Sequence, residues 1–213
     1  MFIELLDLLR CVRPHEQTWL VASFSSVSNR FVEEAKLGCP SCSAEYRIRG
    51  GVADFSGGVE LPDCEHERSN SSHRREELAT RAGAYLDVTE PGATVVLGGL
   101  WAYAAQELSE MAEVRVLAIN APSEVKESET VGLLRVATEI PLAANSVLGV
   151  ALDAWFPAKI VDSAVNVVRP GGRIVGPANI ATPPELAVLA HDERYWVAQK
   201  APEVIPIRRA SRS

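Results

Sequence analysis

The chain has 213 residues, a net charge of −7 and 47% hydrophobic against 23% charged residues, the balance of an ordinary globular protein. That length admits one domain of usual size plus a small one. The acidic balance argues against a chain-wide nucleic-acid surface, although a local basic patch stays compatible with it, and no stretch approaches the roughly 18 consecutive apolar residues of a membrane-spanning helix.

The N-terminus "MFIELLDLLRC" is apolar but carries Glu4 and Asp7. It lacks a basic start and a small-residue cleavage site, so it reads as structure, not as a signal peptide, and the expected location is cytoplasmic. Within it "LLDLLRC" reads as a short helix or turn. "TWLVASFSS" is rich in β-formers, and "AEYRIRGGVADF" alternates apolar and polar residues around a Gly-Gly turn. Residues 1–57 are therefore expected to form a small β-rich unit. The polar stretch 58–72 is the natural linker, leaving 73–213 as the larger unit.

In the larger unit, Leu78, Ala82, Tyr85 and Leu86 recur at helical spacing, with Asn70, Ser71 and Ser72 as candidate caps. Strands are expected at 94–98, 114–119, 131–136, 147–152 and 172–176. Helices are expected over "WAYAAQELSEM" and "PAKIVDSAVNVV", the latter closed by "RPGGR". The segments 194–199 and 203–208 read as an antiparallel hairpin, and the basic C-terminus as a solvated tail. Strands alternating with helices mean βα units and a mostly parallel sheet.

Four cysteines in a chain of this kind suggest metal or thiol chemistry more than a disulfide framework. Cys39 and Cys42 form a CxxC knuckle, whose tight turn points both sulfurs at one ion. Cys11 and His15 upstream complete a Cys3His set for tetrahedral zinc. So small a unit has little core of its own, and a metal would supply much of its folding free energy. The bland alternatives are plain structural thiols or a redox pair, the latter lacking the βαβ setting such pairs use. Cys64 and His66 are rival ligands.

The same residues carry a family likeness. "LLDLLRC" followed by "LGCPSCSAEYRIRGGVADF" resembles the Trm112-like zinc-ribbon family through Cys39, Cys42, Tyr46, Ile48, Gly51 and Val52. Cys11 takes the first cysteine's place, while Pro14 stands at the second cysteine's position with His15 beside it. The resemblance implies a zinc ribbon of a kind that binds and stabilises methyltransferases or is fused to one.

From residue 94 onward the order of signals resembles the class I S-adenosylmethionine (SAM) methyltransferases. "IPLAANSVLGVALDA" looks like that family's approach to its fourth strand, and "VDSAVNVVRPGGRIVG" like its helix, Arg-Pro-Gly-Gly turn and fifth strand. The resemblance implies a Rossmann-like α/β sheet, mostly parallel, ending in an antiparallel hairpin. It puts the cofactor at Gly98, Gly99, Asn120 and Thr138, with Asp153 at the place of substrate chemistry. The family's pattern is thinned here. Val96 replaces an acid and Leu100 and Ala102 replace turn glycines that let backbone approach the cofactor. Asn120 replaces an acid that would bond the ribose, and neutral acceptors bind less strongly than charged ones.

Each of these residues also has a plainer reading: Trp101 as packing, not stacking, Asp153 as a helix cap and His191 as a loop residue. No P-loop and no hydrolase triad order is present. Three functions follow: a non-catalytic methyltransferase-like binding or scaffolding module; an active, divergent SAM-dependent methyltransferase; and a zinc-ribbon interaction protein that activates or stabilises a partner. The implied cofactors are zinc and SAM. The implied partners are another protein or a second copy of the chain, not a membrane or a nucleic acid.

Overall fold

The computed structural model describes residues 1–61 and 72–202. Asn70, Ser71, Cys64, His66 and the expected strand at 203–208 lie outside those residues. A short 3-10 helix (Ile3–Leu8) leads into β1 (Val21–Ser28), β2 (Phe31–Gly38), β3 (Glu45–Arg49) and β4 (Val52–Phe55). Then follow α1 (Ser72–Leu86), β5 (Thr94–Gly98), a 3-10 turn (Gly99–Ala104), α2 (Ala105–Ala112), β6 (Arg115–Ile119), β7 (Val131–Val136) and β8 (Val147–Ala151). The chain closes with α3 (Ala158–Val167), β9 (Val168–Pro177), β10 (Leu186–His191) and β11 (Tyr195–Lys200).

All of these strands join one mixed sheet, in the order β1-β2-β3-β4-β7-β6-β5-β8-β9-β11-β10. The centre, from β4 to β9, is parallel. Its middle strands β5 and β8 are buried at every position, as strands covered on both faces must be. The two flanks are antiparallel. β11 runs against both β9 and β10, so the strand expected near 194–199 is present and pairs with Leu186–His191, a strand not expected from the sequence. That segment eludes sequence reading because all but its first residue is exposed, leaving no alternating pattern.

The other flank is the β1–β4 meander. β3 and β4 are joined through Gly50 and Gly51, both with positive φ (53° and 78°), the conformation a two-residue hairpin turn requires. The sequence divides near residue 57, but the hydrogen bonding does not. Val52 to Phe55 pair in parallel with Leu133 to Val136, so the small unit extends the large unit's sheet. The strand β2, "FVEEAKLG", was not expected. It buries Val32, Ala35 and Leu37 between charged neighbours.

One sheet face is covered by α1 and α2, whose Ala79, Ala82, Leu86 and Leu108 pack with Val95, Leu97 and Val116. The other is covered by α3 and by the chain's own start. Neither the 120–130 nor the 137–146 connection contains a helix, so the crossover helices that usually shield such a sheet are missing there. Met1, Leu5 and Leu9 fill that place, in one cluster with Leu117, Ile119, Leu134 and Leu142. The backbone fixes them: Arg10 donates to the Pro141 carbonyl (2.8 Å) and Ala143 to that of Leu8 (3.1 Å). The Arg-Pro-Gly-Gly segment follows α3 as expected, but as a bulge in β9, where the register with β8 jumps from Val168 to Arg173.

Candidate functional site

Cys11, His15, Cys39 and Cys42 converge, their ligand atoms all within 4.8 Å of one another. Cys39 follows directly on β2. The turn after it is closed by Cys39 donating to the Ala44 carbonyl (2.8 Å) and Ser43 to that of Cys39 (3.0 Å). Cys11 and His15 come from the segment beyond the 3-10 helix, which the sheet contacts of Leu9 and Arg10 hold in place.

Two of the six donor–donor distances match one tetrahedral ion, and the others lie within 4.8 Å. Zinc–sulfur bonds of about 2.3 Å put two sulfurs about 3.8 Å apart, and a zinc–nitrogen bond of about 2.0 Å puts nitrogen about 3.5 Å from sulfur. Cys11 Sγ lies 3.7 Å from Cys42 Sγ, and His15 Nε2 lies 3.4 Å from Cys39 Sγ. All three cysteines are free thiols. The His15 Nδ1 is 2.6 Å from the Glu16 carbonyl oxygen. An Nδ1–H donated there fixes the tautomer that turns the Nε2 lone pair toward the sulfurs. Around Cys11, Tyr46 Oη approaches the sulfur at 3.2 Å and the Arg13 N–H at 3.4 Å. Burial pushes the Cys11 thiol up, but the hydrogen bonds from Tyr46, Arg13, Cys39 and Cys42 outweigh it, and its pKa falls below the usual thiol value.

The second region lies at the carboxyl ends of β5 and β8, where an open parallel sheet ordinarily binds its ligand. Gly99 has φ +59°, and a Cβ there would lie 2.2 Å from Asp153 Oδ2. That oxygen accepts the Leu100 N–H at 2.6 Å, and Asp153 Oδ1 accepts the Trp155 N–H at 3.1 Å. Asp153 is 1% exposed, and burial raises its pKa against the hydrogen bonds that lower it. The space over Gly98 is taken as well: a Cβ there would meet Phe156 at 2.7 Å and Leu152 at 2.8 Å. The loop N–H that would greet a ligand is thus bound to an internal carboxylate, and apolar side chains sit beside it.

The other residues singled out from the sequence fall around this loop. Asn120, at the end of β6 with φ 48°, donates Nδ2 to the Val136 carbonyl (2.9 Å) and accepts the Val136 N–H at Oδ1 (2.8 Å). Its amide therefore ties β6 to β7. Thr138 is exposed in the bend after β7, and Val96 is a buried core residue. Trp101 does not fill the space above the glycines. It is 1% exposed and packs between Tyr85 (ring centroids 6.2 Å apart) and Tyr195 (5.1 Å). Leu152 and Phe156 do the filling. They flank Asp153 in "LDAWF", and that apolar bracket was the available signal.

No protein-family model matches the sequence, and no curated protein matches it either. Its likenesses are to solved structures, among them SAM-dependent methyltransferases. A candidate S-adenosyl-L-methionine-dependent methyltransferase from Methanococcus maripaludis is 10% identical over 62% of this chain and 87% of that one, with a TM-score of 0.44. The complex of the Haloferax volcanii Trm112 methyltransferase activator with a candidate methyltransferase gives 19% identity over 48% and 52%, TM-score 0.38. The [4+2]-cyclase SpnF gives 14% over 55% and 50%, TM-score 0.42. The chain thus spans about half the length of the latter two structures. Among the described residues no helix is long and apolar enough to cross a membrane.

Proposed function

We propose that this chain is a zinc-stabilised, methyltransferase-like binding module that does not use SAM. The observation carrying this reading is the Asp153 carboxylate, held 2.6 Å from the Leu100 N–H over the glycine turn. A ligand carboxylate entering there would meet a buried acid where a free donor is wanted, and would have to displace Leu152 and Phe156. Val96 and Asn120 add to this, one apolar and one turned to backbone, where the family resemblance expects acids.

The Cys11, His15, Cys39 and Cys42 set supports the zinc half. Four protein ligands leave no open position, so the metal would be structural and would bind no substrate. It would clamp the segment around residues 11–15 onto the end of β2, and through it the N-terminal cover onto the sheet. The remaining work falls to outer surfaces, with another protein or a second copy as partner.

A second reading, an active and divergent methyltransferase, draws on one feature. An open groove of about 690 Å³ runs beside Asn120, Pro122, Lys126 and Leu133, large enough for a cofactor to lie along. Isothermal titration with SAM and with S-adenosylhomocysteine separates the two. The binding-module reading expects no dissociation constant below about 10 μM, roughly −7 kcal/mol. Tighter binding of either compound overturns it in favour of the enzyme.

A further inference from the structure

A cavity of about 240 Å³ lies between α1, the turn after β5 and the tip of the β10–β11 hairpin. It is distinct from the zinc set and adjoins the Asp153 clamp at Leu100, whose N–H Asp153 holds. Arg74, Arg75, Arg81 and Arg194 line it, against Glu77 as the lone acid among the described residues. In a chain with net charge −7, four guanidinium groups around one small cavity form a local cationic focus.

Some of that charge is already engaged. Arg75 Nε lies 3.0 Å from Glu107 Oε1, and Glu77 lies 3.3 Å from the imidazole of His73. Arg81 makes no ion pair among the described residues. The first turn of α1 carries His73, Arg74 and Arg75 and no acid. Cations at the positive end of a helix dipole are unfavourable, and a bound anion offsets that.

The cavity's other wall is aromatic. Trp101, Tyr103 and Tyr195 line it, and the Trp101 indole N–H is buried without a hydrogen-bond partner. Buried polar groups are nearly always paired in native proteins, so this orphaned donor, on a residue that lines the cavity, points to an acceptor supplied from outside. Arginine forks match phosphate oxygens in pairs, and ring faces hold planar groups. The volume is below the usual range of drug-sized sites, which limits the ligand to a single ring or less.

We infer that this cavity binds a small aromatic phosphomonoester, its phosphate held by Arg81 and Arg194 and its ring against the Trp101–Tyr195 wall. The inference stands whether or not SAM binds, because none of these residues belongs to the Asp153 clamp. Calorimetric titration of the full chain with phenyl phosphate, inorganic phosphate and phenol tests it. Phenyl phosphate is expected to bind with one-to-one stoichiometry, at least tenfold tighter than either fragment. Arg81→Ala and Arg194→Ala each weaken it at least tenfold. Trp101→Phe, which keeps a ring and removes the N–H, weakens it by a smaller factor. Arg47→Ala, an equal charge change on the far flank, leaves it unaltered. Thermal melts of every variant show that the fold is kept. The inference is overturned by the absence of saturable binding up to about 10 mM, ten times the millimolar level of a weak complex. Equal binding of phosphate and phenyl phosphate, or equal weakening by Arg47→Ala, overturns it too.

Discussion

The turn at Cys39 and the turn at Gly98 are built alike. Each follows a strand of the same sheet, and each presents polar atoms beyond the strand's end. They differ in what those atoms do. At Cys39 the three sulfurs and His15 Nε2 converge on one point, and the neighbouring groups orient them toward it. His15 gives its other nitrogen to the Glu16 carbonyl, and Tyr46 and Arg13 lean on Cys11. At Gly98 the polar atoms are paired off within the chain. Asp153 takes the Leu100 and Trp155 N–H groups, and Asn120 takes both backbone groups of Val136. The lesson is that motif residues alone do not distinguish a receptive turn from a closed one; the second ring of hydrogen bonds does.

The largest expected effect breaks the first side of this comparison. Cys39→Ser is expected to remove one equivalent of zinc by elemental analysis. Since metal binding is coupled to folding, the expected cost is on the order of 4–5 kcal/mol or more, which for a chain of this size is a fall of at least roughly 8–20 °C in melting temperature. A zinc-free wild-type protein after metal-replete expression would sink the metal centre altogether.

On the other side, Phe156→Ala removes the ring packed over Gly98. Truncations of this kind cost about 3–5 kcal/mol, read by denaturant unfolding. The same variant sharpens the contrast, because it reopens the space over the turn while leaving Asp153 in place. If SAM still fails to bind to it, the Phe156 ring alone is not the decisive barrier.

Asp153→Ala strands the Leu100 N–H without a partner, for a cost of about 1–3 kcal/mol, whereas Asp153→Asn keeps an acceptor and is expected to cost less. The two differ also in pH dependence. Burial raises the Asp153 pKa above its ordinary value of 3.8, so the folded state holds the proton more tightly than the unfolded one. This group's contribution is therefore fully present below the ordinary value and is lost as pH rises through the folded value. Subtracting the Asp153→Asn melting curve from that of the wild type across acid to neutral pH isolates it. A difference that grows in the wild type's favour as pH rises would contradict the assignment.

The smallest effect is at Tyr46→Phe. The ring keeps its place against Phe55, at 4.5 Å between centroids, but the hydroxyl that meets Cys11 Sγ and the Val12 N–H is lost. A stability loss of about 0.5–1.5 kcal/mol is expected, with zinc affinity lowered roughly tenfold, the usual scale for groups that orient a metal ligand. A chelator competition assay reads the affinity, and an unchanged value would show that Tyr46 only packs.

Much of this molecule was legible in the residues themselves. The parallel strands were readable because β5, β7 and β8 are short apolar runs cut off by Gly, Ser or Pro signals, and the helices because their apolar residues recur at 3.6 spacing. The convergence of Cys11, His15, Cys39 and Cys42 was readable because a CxxC fixes its own geometry locally and Cys11 and His15 lie near each other in the chain. What tertiary structure alone decided is long-range. Sequence composition breaks at the 58–72 linker, yet β4 pairs with β7, since the sheet's edge groups need partners and nothing in a local pattern says which strand supplies them. The missing crossover helices left a bare apolar face, and only packing could assign Met1, Leu5 and Leu9 to cover it. Gly98 and Gly99 looked the same in the sequence whether open or closed. Their state depends on Asp153 and Phe156, more than fifty positions away, because a parallel sheet brings the ends of distant strands side by side.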